Sequence, residues 1–268
     1  MEIKELKKIK YDCCLKLLEL YKKANAGHIG SSLSCLDILI YLFFKKMKEE
    51  DKFILSKGHS AAAFYTVLAK SKRIKEDLLN TFYQEGTYLA AHPPCNRKIK
   101  DIIFGTGSLG HGLSLGAGLA LSNKFTKKKF NIYCLLSDGD CNEGSTWEAA
   151  LFISHHKLKN LFVIIDNNNL QGFGKCSEIL NLEPLVDKWR SFNFNVVIAE
   201  NGNSFLSLEN AFLELHKFNN DKPNCIIAKT TKGSGISFME NKLEWHYLSM
   251  TDEEYQKAIK ELEKILDA

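Results

Sequence analysis

Two short polar segments, Leu136-Ser-Asp-Gly-Asp-Cys-Asn-Glu-Gly144 and Ile165-Asp-Asn-Asn-Asn-Leu-Gln171, each follow an apolar run and place Asp138 and Asn168 thirty residues apart. A carboxylate (Asp138), an amide oxygen (Asn168) and a backbone carbonyl (Leu170) make an oxygen-only donor set. Hard divalent cations such as Mg2+ or Ca2+ take such donors, with a diphosphate and water completing the shell. Gly139 lets backbone approach a bulky anion without a Cβ in the way. Asp-Gly and Asn-Asn are also ordinary turn residues, so each segment alone is ambiguous, and it is their pairing that points to a clamp.

The elements that hold these segments are legible around them. Tyr133 to Leu136 and Leu161 to Ile165 read as buried parallel strands, and Ser145 to His156 has helical spacing, which together make one βαβ unit. Both motifs then lie at neighbouring strand carboxyl ends, where open α/β sheets bind ligands and a helix N-terminus offers amides to phosphate. Upstream, Ile3, Leu6, Ile9, Cys13, Leu17 and Leu20 predict an amphipathic helix over residues 2 to 24 that stops at Asn25-Ala-Gly27. Ser34 with Asp37 predicts the start of a second helix, apolar on nearly all sides from Ile38 to Phe44 and so buried, within this chain or against another. Phe53 to Leu55 predicts a short strand turning through Ser56-Lys-Gly-His59 into a helix near Ala61.

Strands at Asn195 to Ala199 and Cys225 to Thr230 flank a helix over Ser204 to Phe218. Thr251-x-x-Glu254 caps a last helix striped by Tyr255, Ile259, Leu262 and Leu266. The expected fold class is α/β: a parallel sheet of about five strands covered by helices on both faces. A single domain over residues 1 to 268 is expected.

With 45% apolar and 25% charged residues in 268, the chain can bury one large core. Net charge is only +4, and Lys7-Lys8, Lys45-Lys46 and Lys127-Lys128-Lys129 read as helix faces or turns without interleaved aromatics. No nucleic acid partner is implied, whereas a mildly basic balance suits phosphorylated substrates. The eight cysteines show no CxxC pair or metal-finger spacing, as expected of a reducing compartment. The N-terminus is charged, and no apolar run approaches the roughly eighteen residues of a membrane span, so a cytoplasmic protein with no membrane partner is expected.

Of the eight histidines, His155, His156 and His216 fall on predicted helices and receive no function. His28, His59, His92, His111 and His246 sit in loops rich in Gly, Ser or Pro, where binding residues concentrate.

These residues carry a resemblance. The Ser137-Asp-Gly139 and Asn167-Asn168 pair is similar to the thiamine diphosphate motif, Gly-Asp-Gly followed at this spacing by Asn-Asn, with Ser137 in place of the first glycine. Ala26-Gly-His-Ile-Gly-Ser-Ser-Leu-Ser34, Leu55-Ser-Lys-Gly-His-Ser60, Ala91-His-Pro93, Thr106-Gly-Ser-Leu-Gly-His-Gly112 and Glu244-Trp-His246 resemble transketolase motifs in order, over residues 8 to 247. The resemblance implies thiamine diphosphate and Mg2+ (or Ca2+) as cofactors, with the metal on Asp138, Asn168 and Leu170. It implies cofactor contacts at His59, Gly107, Ser108, Leu109, Asp138, Gly139, Asn168, Leu170 and His246. His28, His59, His92 and His246 match histidines that bind sugar hydroxyls or diphosphate and ferry protons, work suited to imidazole. Glu143 matches a carboxylate of the proton network between subunits. Two departures, His111 where the family usually has Gln and Ala91 where it has Gly, fall near the substrate or pyrimidine pocket.

The implied reaction transfers a two-carbon ketol unit from a ketose phosphate to an aldose, as in the pentose phosphate pathway. Transketolases draw the glutamate that activates the cofactor from a pyrimidine-binding domain, and nothing in this chain resembles one. The expectation is the diphosphate-binding subunit of a split transketolase, which works with a C-terminal subunit that carries the pyrimidine-binding domain in a heterotetramer with two copies of each. A deoxyxylulose phosphate synthase, a 2-oxo acid dehydrogenase component or a non-catalytic subunit of the same fold are the alternatives. A dinucleotide-binding protein is disfavoured, because no Gly-x-Gly-x-x-Gly follows the first strand and Gly233-Ser-Gly235 follows the last.

Overall fold

Every residue of the strand Ile132–Ser137 is buried, and its side chains divide between two cores: Tyr133 and Leu135 on one side, Ile132, Cys134 and Leu136 on the other. That division marks a sheet covered on both faces. The computed structural model describes residues 1–95, 98–126 and 129–266, so Lys127 and Lys128 of the third lysine run and the Leu266 side chain lie outside the described residues. Five parallel strands form the sheet: β1 (Lys52–Leu55), β2 (Ile132–Ser137), β3 (Leu161–Asn167), β4 (Asn195–Ala199) and β5 (Asn224–Lys229), in the order β1-β2-β3-β5-β4. All five strands are those the apolar runs predict.

The helices follow in chain order as α1 (Ile3–Ala24), α2 (Ile29–Tyr41), α3 (Ala61–Lys70), α4 (His111–Thr126), α5 (Gly144–His155), α6 (Cys176–Ile179), α7 (Leu185–Ser191), α8 (Phe205–Leu215) and α9 (Asp252–Leu266). One face of the sheet is covered by α1, α2, α3 and α8, the other by α4, α5 and α7. α1 ends where Asn25 turns left-handed at φ 47°, and Thr251 and Glu254 bond reciprocally to open α9, as expected from those residues.

α2 departs from its predicted start. It begins at Ile29, after His28 takes a left-handed conformation at φ 76°, and Ser34 lies inside it. The reason is tertiary: the Ser34 hydroxyl donates to Asp166 at 2.7 Å, and Asp37 is fully buried against Lys10 at 2.8 Å, so neither residue caps a helix end. Of the apolar run Ile38 to Phe44, residues Ile38 to Phe43 are at most 7% exposed within this chain and Phe44 is half-buried; α2 lies between α1, α3 and α8, so no second chain is needed to cover it. α4 has no counterpart among the predicted elements. Its Gly112, Gly116 and Gly118 and its apolar residues on several sides leave no amphipathic stripe to read.

Candidate functional site

The carboxyl ends of β1, β2, β3 and β5 converge on a cavity of about 310 Å3. β1 delivers Lys57 and His59, β2 Ser137 and Gly139, β3 Asn168 and Leu170, and the turn after β5 Lys232. His28 enters from the start of α2, and His92, Gly107 and His246 come from loops.

Asp138 lies just beneath this lining. Its carboxylate accepts hydrogen bonds from Asn167 Nδ2 at 2.5 Å and from the backbone N–H groups of Asn168 and Asn169 at 3.0 and 2.8 Å. Burial nevertheless raises its pKa to about 7 against those bonds, so its charge is incompletely compensated. The Asn168 side-chain oxygen accepts one bond, from the Leu170 N–H at 3.0 Å, and the Leu170 carbonyl accepts none among the described residues. An under-compensated carboxylate with an amide and a carbonyl oxygen fits a hard divalent cation. Among the described residues no group of three or more His, Cys, Asp or Glu could hold a metal, so these oxygens are the available donors.

Gly139 has a different reason from the one its motif suggests. A Cβ there would lie 2.8 Å from Leu109 Cδ1, so a larger residue would push the end of that side chain aside.

Two buried lysines supply positive charge. Burial pulls the Lys57 pKa down, but the Asp166 carboxylate in contact with its ammonium outweighs this and holds it above the usual value. Asp166 also accepts from Ser34 at 2.7 Å and from Thr230. Among the described residues Lys232 has no carboxylate in contact with it. Its ammonium, lowered to about 8 by burial and by Lys57, donates to His246 Nδ1 at 3.0 Å. A buried cation with no carboxylate in contact among the described residues, on the wall of a cavity, fits an anionic ligand.

The histidines form one cluster. The His28 ring lies 4.9 Å from His246, 5.7 Å from His59 and 6.0 Å from His92, and His59 lies 5.5 Å from His246. Burial, with the neighbouring rings and lysines, lowers His28 to about 4 and His246 to about 3, and holds His59 well below its usual value. His92 is lowered by burial. At neutral pH all four are uncharged imidazoles, able both to donate and to accept. Because Lys232 donates to Nδ1 of His246, the ring proton resides on Nε2. His28 is held in its left-handed conformation by its N–H, which donates to the His246 carbonyl at 3.0 Å.

Asp140 organises the loops. Its buried carboxylate accepts from Ser56 Oγ at 2.5 Å, Gly110 N–H at 2.9 Å, Ser137 N–H at 2.8 Å and Ser137 Oγ at 2.9 Å. The ends of β1 and β2 and the Gly107–Gly110 loop are thereby tied to one side chain.

Of the residues singled out in the sequence, His28, His59, His92, Gly107, Leu109, Gly139, Glu143, Asn168, Leu170 and His246 line the cavity, with Asp138 behind it. Ser108 and His111 do not. They line a separate outer crevice with Pro93 and Cys95. Ala91 lines neither. Sequence reasoning passed over Lys57, Lys232, Asp140 and Asp166; their signal is a charged residue placed just after, or at the end of, an apolar strand.

Residues 9–263 match the family described as transketolase, thiamine diphosphate binding domain. The chain belongs to this transketolase family. It is 37% identical over 261 residues to an apulose-4-phosphate transketolase subunit of Phocaeicola vulgatus, covering 94% of this chain and 92% of that one. It is 38% identical over 258 residues to a 6-deoxy-6-sulfo-D-fructose transketolase subunit of a Clostridium species, covering 92% of each. Human transketolase is 34% identical over 249 residues, 89% of this chain but 39% of that protein. The crystal structure of Campylobacter jejuni transketolase superposes with a TM-score of 0.90 at 27% identity, covering 98% of this chain and 43% of that one. The chain thus spans under half the length of these full-length transketolases, and its α/β fold is that of their thiamine diphosphate-binding domain.

Proposed function

We propose that this chain is the diphosphate-binding subunit of a split transketolase, transferring a two-carbon ketol unit from a ketose to an aldose. The observation that supports it is the convergence of four neutral histidines, two buried lysines and the Asp138–Asn168–Leu170 oxygen set on one cavity. A divalent metal, Mg2+ in this reading, is held by those three oxygens, and Lys232 and His59 face the diphosphate. When bound, thiamine diphosphate would supply a thiazolium carbon that is nucleophilic once deprotonated and a ring that accepts the electron pair left on the ketol carbons. The chain's own residues do the rest: His28, His92 and His246 hold sugar hydroxyls and exchange their protons, and Glu143 extends the proton network toward a partner chain.

The partner of this proposal carries the pyrimidine-binding domain, in a complex with two copies of each chain in the cytoplasm. Among the described residues no helix is long and apolar enough to cross a membrane. Since α2 is covered within its own chain, the partner's seat is sought elsewhere, and α5, which packs on α4, leaves Leu151 and Phe152 exposed. The names of the two split relatives favour a specialised ketose carrying a terminal phosphate or sulfonate over a general pentose phosphate role.

The test is to co-express the chain with a candidate partner and assay ketol transfer from xylulose 5-phosphate, apulose 4-phosphate and 6-deoxy-6-sulfofructose. Turnover of at least one donor by the complex, with neither chain active alone, is expected. Turnover by this chain alone would refute the split arrangement.

A further inference from the structure

We propose that Tyr247 and Gly172 form a wall that sets the length of the sugar admitted to this site, an inference that rests on the ketol-transfer reading above. Tyr247 Oη donates to the Gly172 carbonyl at 2.6 Å, joining the segment before α9 to the loop after β3, and both residues line the cavity. The bridge passes beside His246, whose ring meets that of Tyr247 edge to face at 4.8 Å. A Cβ at position 172 would lie 2.8 Å from Tyr247 Oη and 3.3 Å from His246 Nε2. Gly172 is not in the left-handed region, so a side chain at this position would act only through that close approach, by pushing the phenol aside.

The wall is anchored at both ends. On one side Leu170 pairs with Lys175, the Gln171 N–H donates to the Gly174 carbonyl at 2.9 Å, and the Gln171 amide donates to Asn142. On the other, Gly27 leaves room for the Tyr247 carbonyl, which would lie 2.5 Å from a Cβ there.

The wall therefore stands next to Nε2 of His246, the nitrogen that carries the proton offered to a substrate hydroxyl. Ketol transfer handles the same two-carbon head in every donor, so sugars are distinguished by the atoms beyond it. A five-carbon aldose phosphate extends further beyond the reacting carbons than a three-carbon one, so it is the acceptor this wall disfavours.

The experiment compares kcat/KM for glyceraldehyde 3-phosphate and ribose 5-phosphate in the assembled complex, using a donor the wild type turns over, for Tyr247→Ala, Tyr247→Phe and Gly172→Ala. Deuterium exchange of the 171–174 amides is followed in parallel. Tyr247→Ala is expected to shift the ratio toward the five-carbon acceptor about tenfold, within the range one steric contact commands. Tyr247→Phe keeps the ring and is expected to shift it less while accelerating exchange of the loop. Gly172→Ala is expected to shift the ratio in the same direction by displacing the phenol. An unchanged ratio in an active Tyr247→Ala complex overturns the wall; if that variant does not assemble, an unchanged ratio and unchanged exchange in Tyr247→Phe do so. A wild-type complex that transfers no ketol unit to either acceptor overturns the function itself, a result distinct from the first.

Discussion

Lys232 and His246 meet through a single hydrogen bond, Nζ to Nδ1 at 3.0 Å, and that contact sets which imidazole nitrogen faces the cavity. It places a buried ammonium and a neutral donor side by side at the mouth of an anion site. Neither residue reads as special alone: one is a lysine after a strand, the other a histidine in a Trp-His pair.

Lys232→Met is therefore expected to have two effects. Thiamine diphosphate affinity should fall by about tenfold or more, the worth of one charge-assisted contact. The His246 and His28 pKa values should rise, because the Lys232 charge contributes to lowering both. NMR titration of the imidazole C2 protons in the cofactor-free protein checks the second effect, and a His246 signal that does not move would show that the ammonium leaves the ring unperturbed.

The same histidines give the cofactor-free chain a signed pH dependence. The ordinary value is 6.5, and in the folded chain His28 stands at about 4 and His246 at about 3, chiefly through burial. Below pH 6.5 the unfolded chain binds protons that the folded chain refuses, so their contribution to stability is present above pH 6.5 and is lost as pH falls toward 4. Denaturation midpoints measured from pH 7.5 to 5 are expected to fall, and His28→Asn should flatten that slope.

Asp140→Ala tests whether the loops share one anchor. Removing a buried carboxylate with four donors leaves the Gly110 and Ser137 N–H groups unpaired, an expected loss of about 3 kcal/mol in urea unfolding. Asp140→Asn, which turns one oxygen into a donor facing other donors, should recover only part of this. Cofactor affinity is expected to fall with the Gly107–Gly110 loop released.

The sheet was legible because each strand is an apolar run that two cores bury, and the histidine loops were legible because Gly, Ser and Pro flank a titratable residue. α4 was not, since Gly112, Gly116 and Gly118 hide its period. Ser34 misled because a serine followed by an acidic residue caps helices elsewhere, whereas here its hydroxyl serves Asp166 across the core. Ser108 and His111 shared a loop with true lining residues but line the outer crevice instead, a distinction only the backbone path makes. Lys232 and Asp140 act through convergence of distant loops, which no local pattern records.

Asp138→Asn separates stability from binding. The carboxylate is buried and its pKa stands at about 7, chiefly through desolvation, so above that pH its charge is a burden on the free chain. Asparagine keeps an oxygen for the Asn168 and Asn169 N–H groups and faces the Asn167 amide with its own, so free-chain stability should change by no more than about 1 kcal/mol. The metal loses a charged ligand, and the affinity of the assembled complex for thiamine diphosphate with Mg2+ should drop about a hundredfold by calorimetry. Unchanged affinity with intact assembly would remove Asp138 from the metal site and leave the diphosphate to Lys232 and His59.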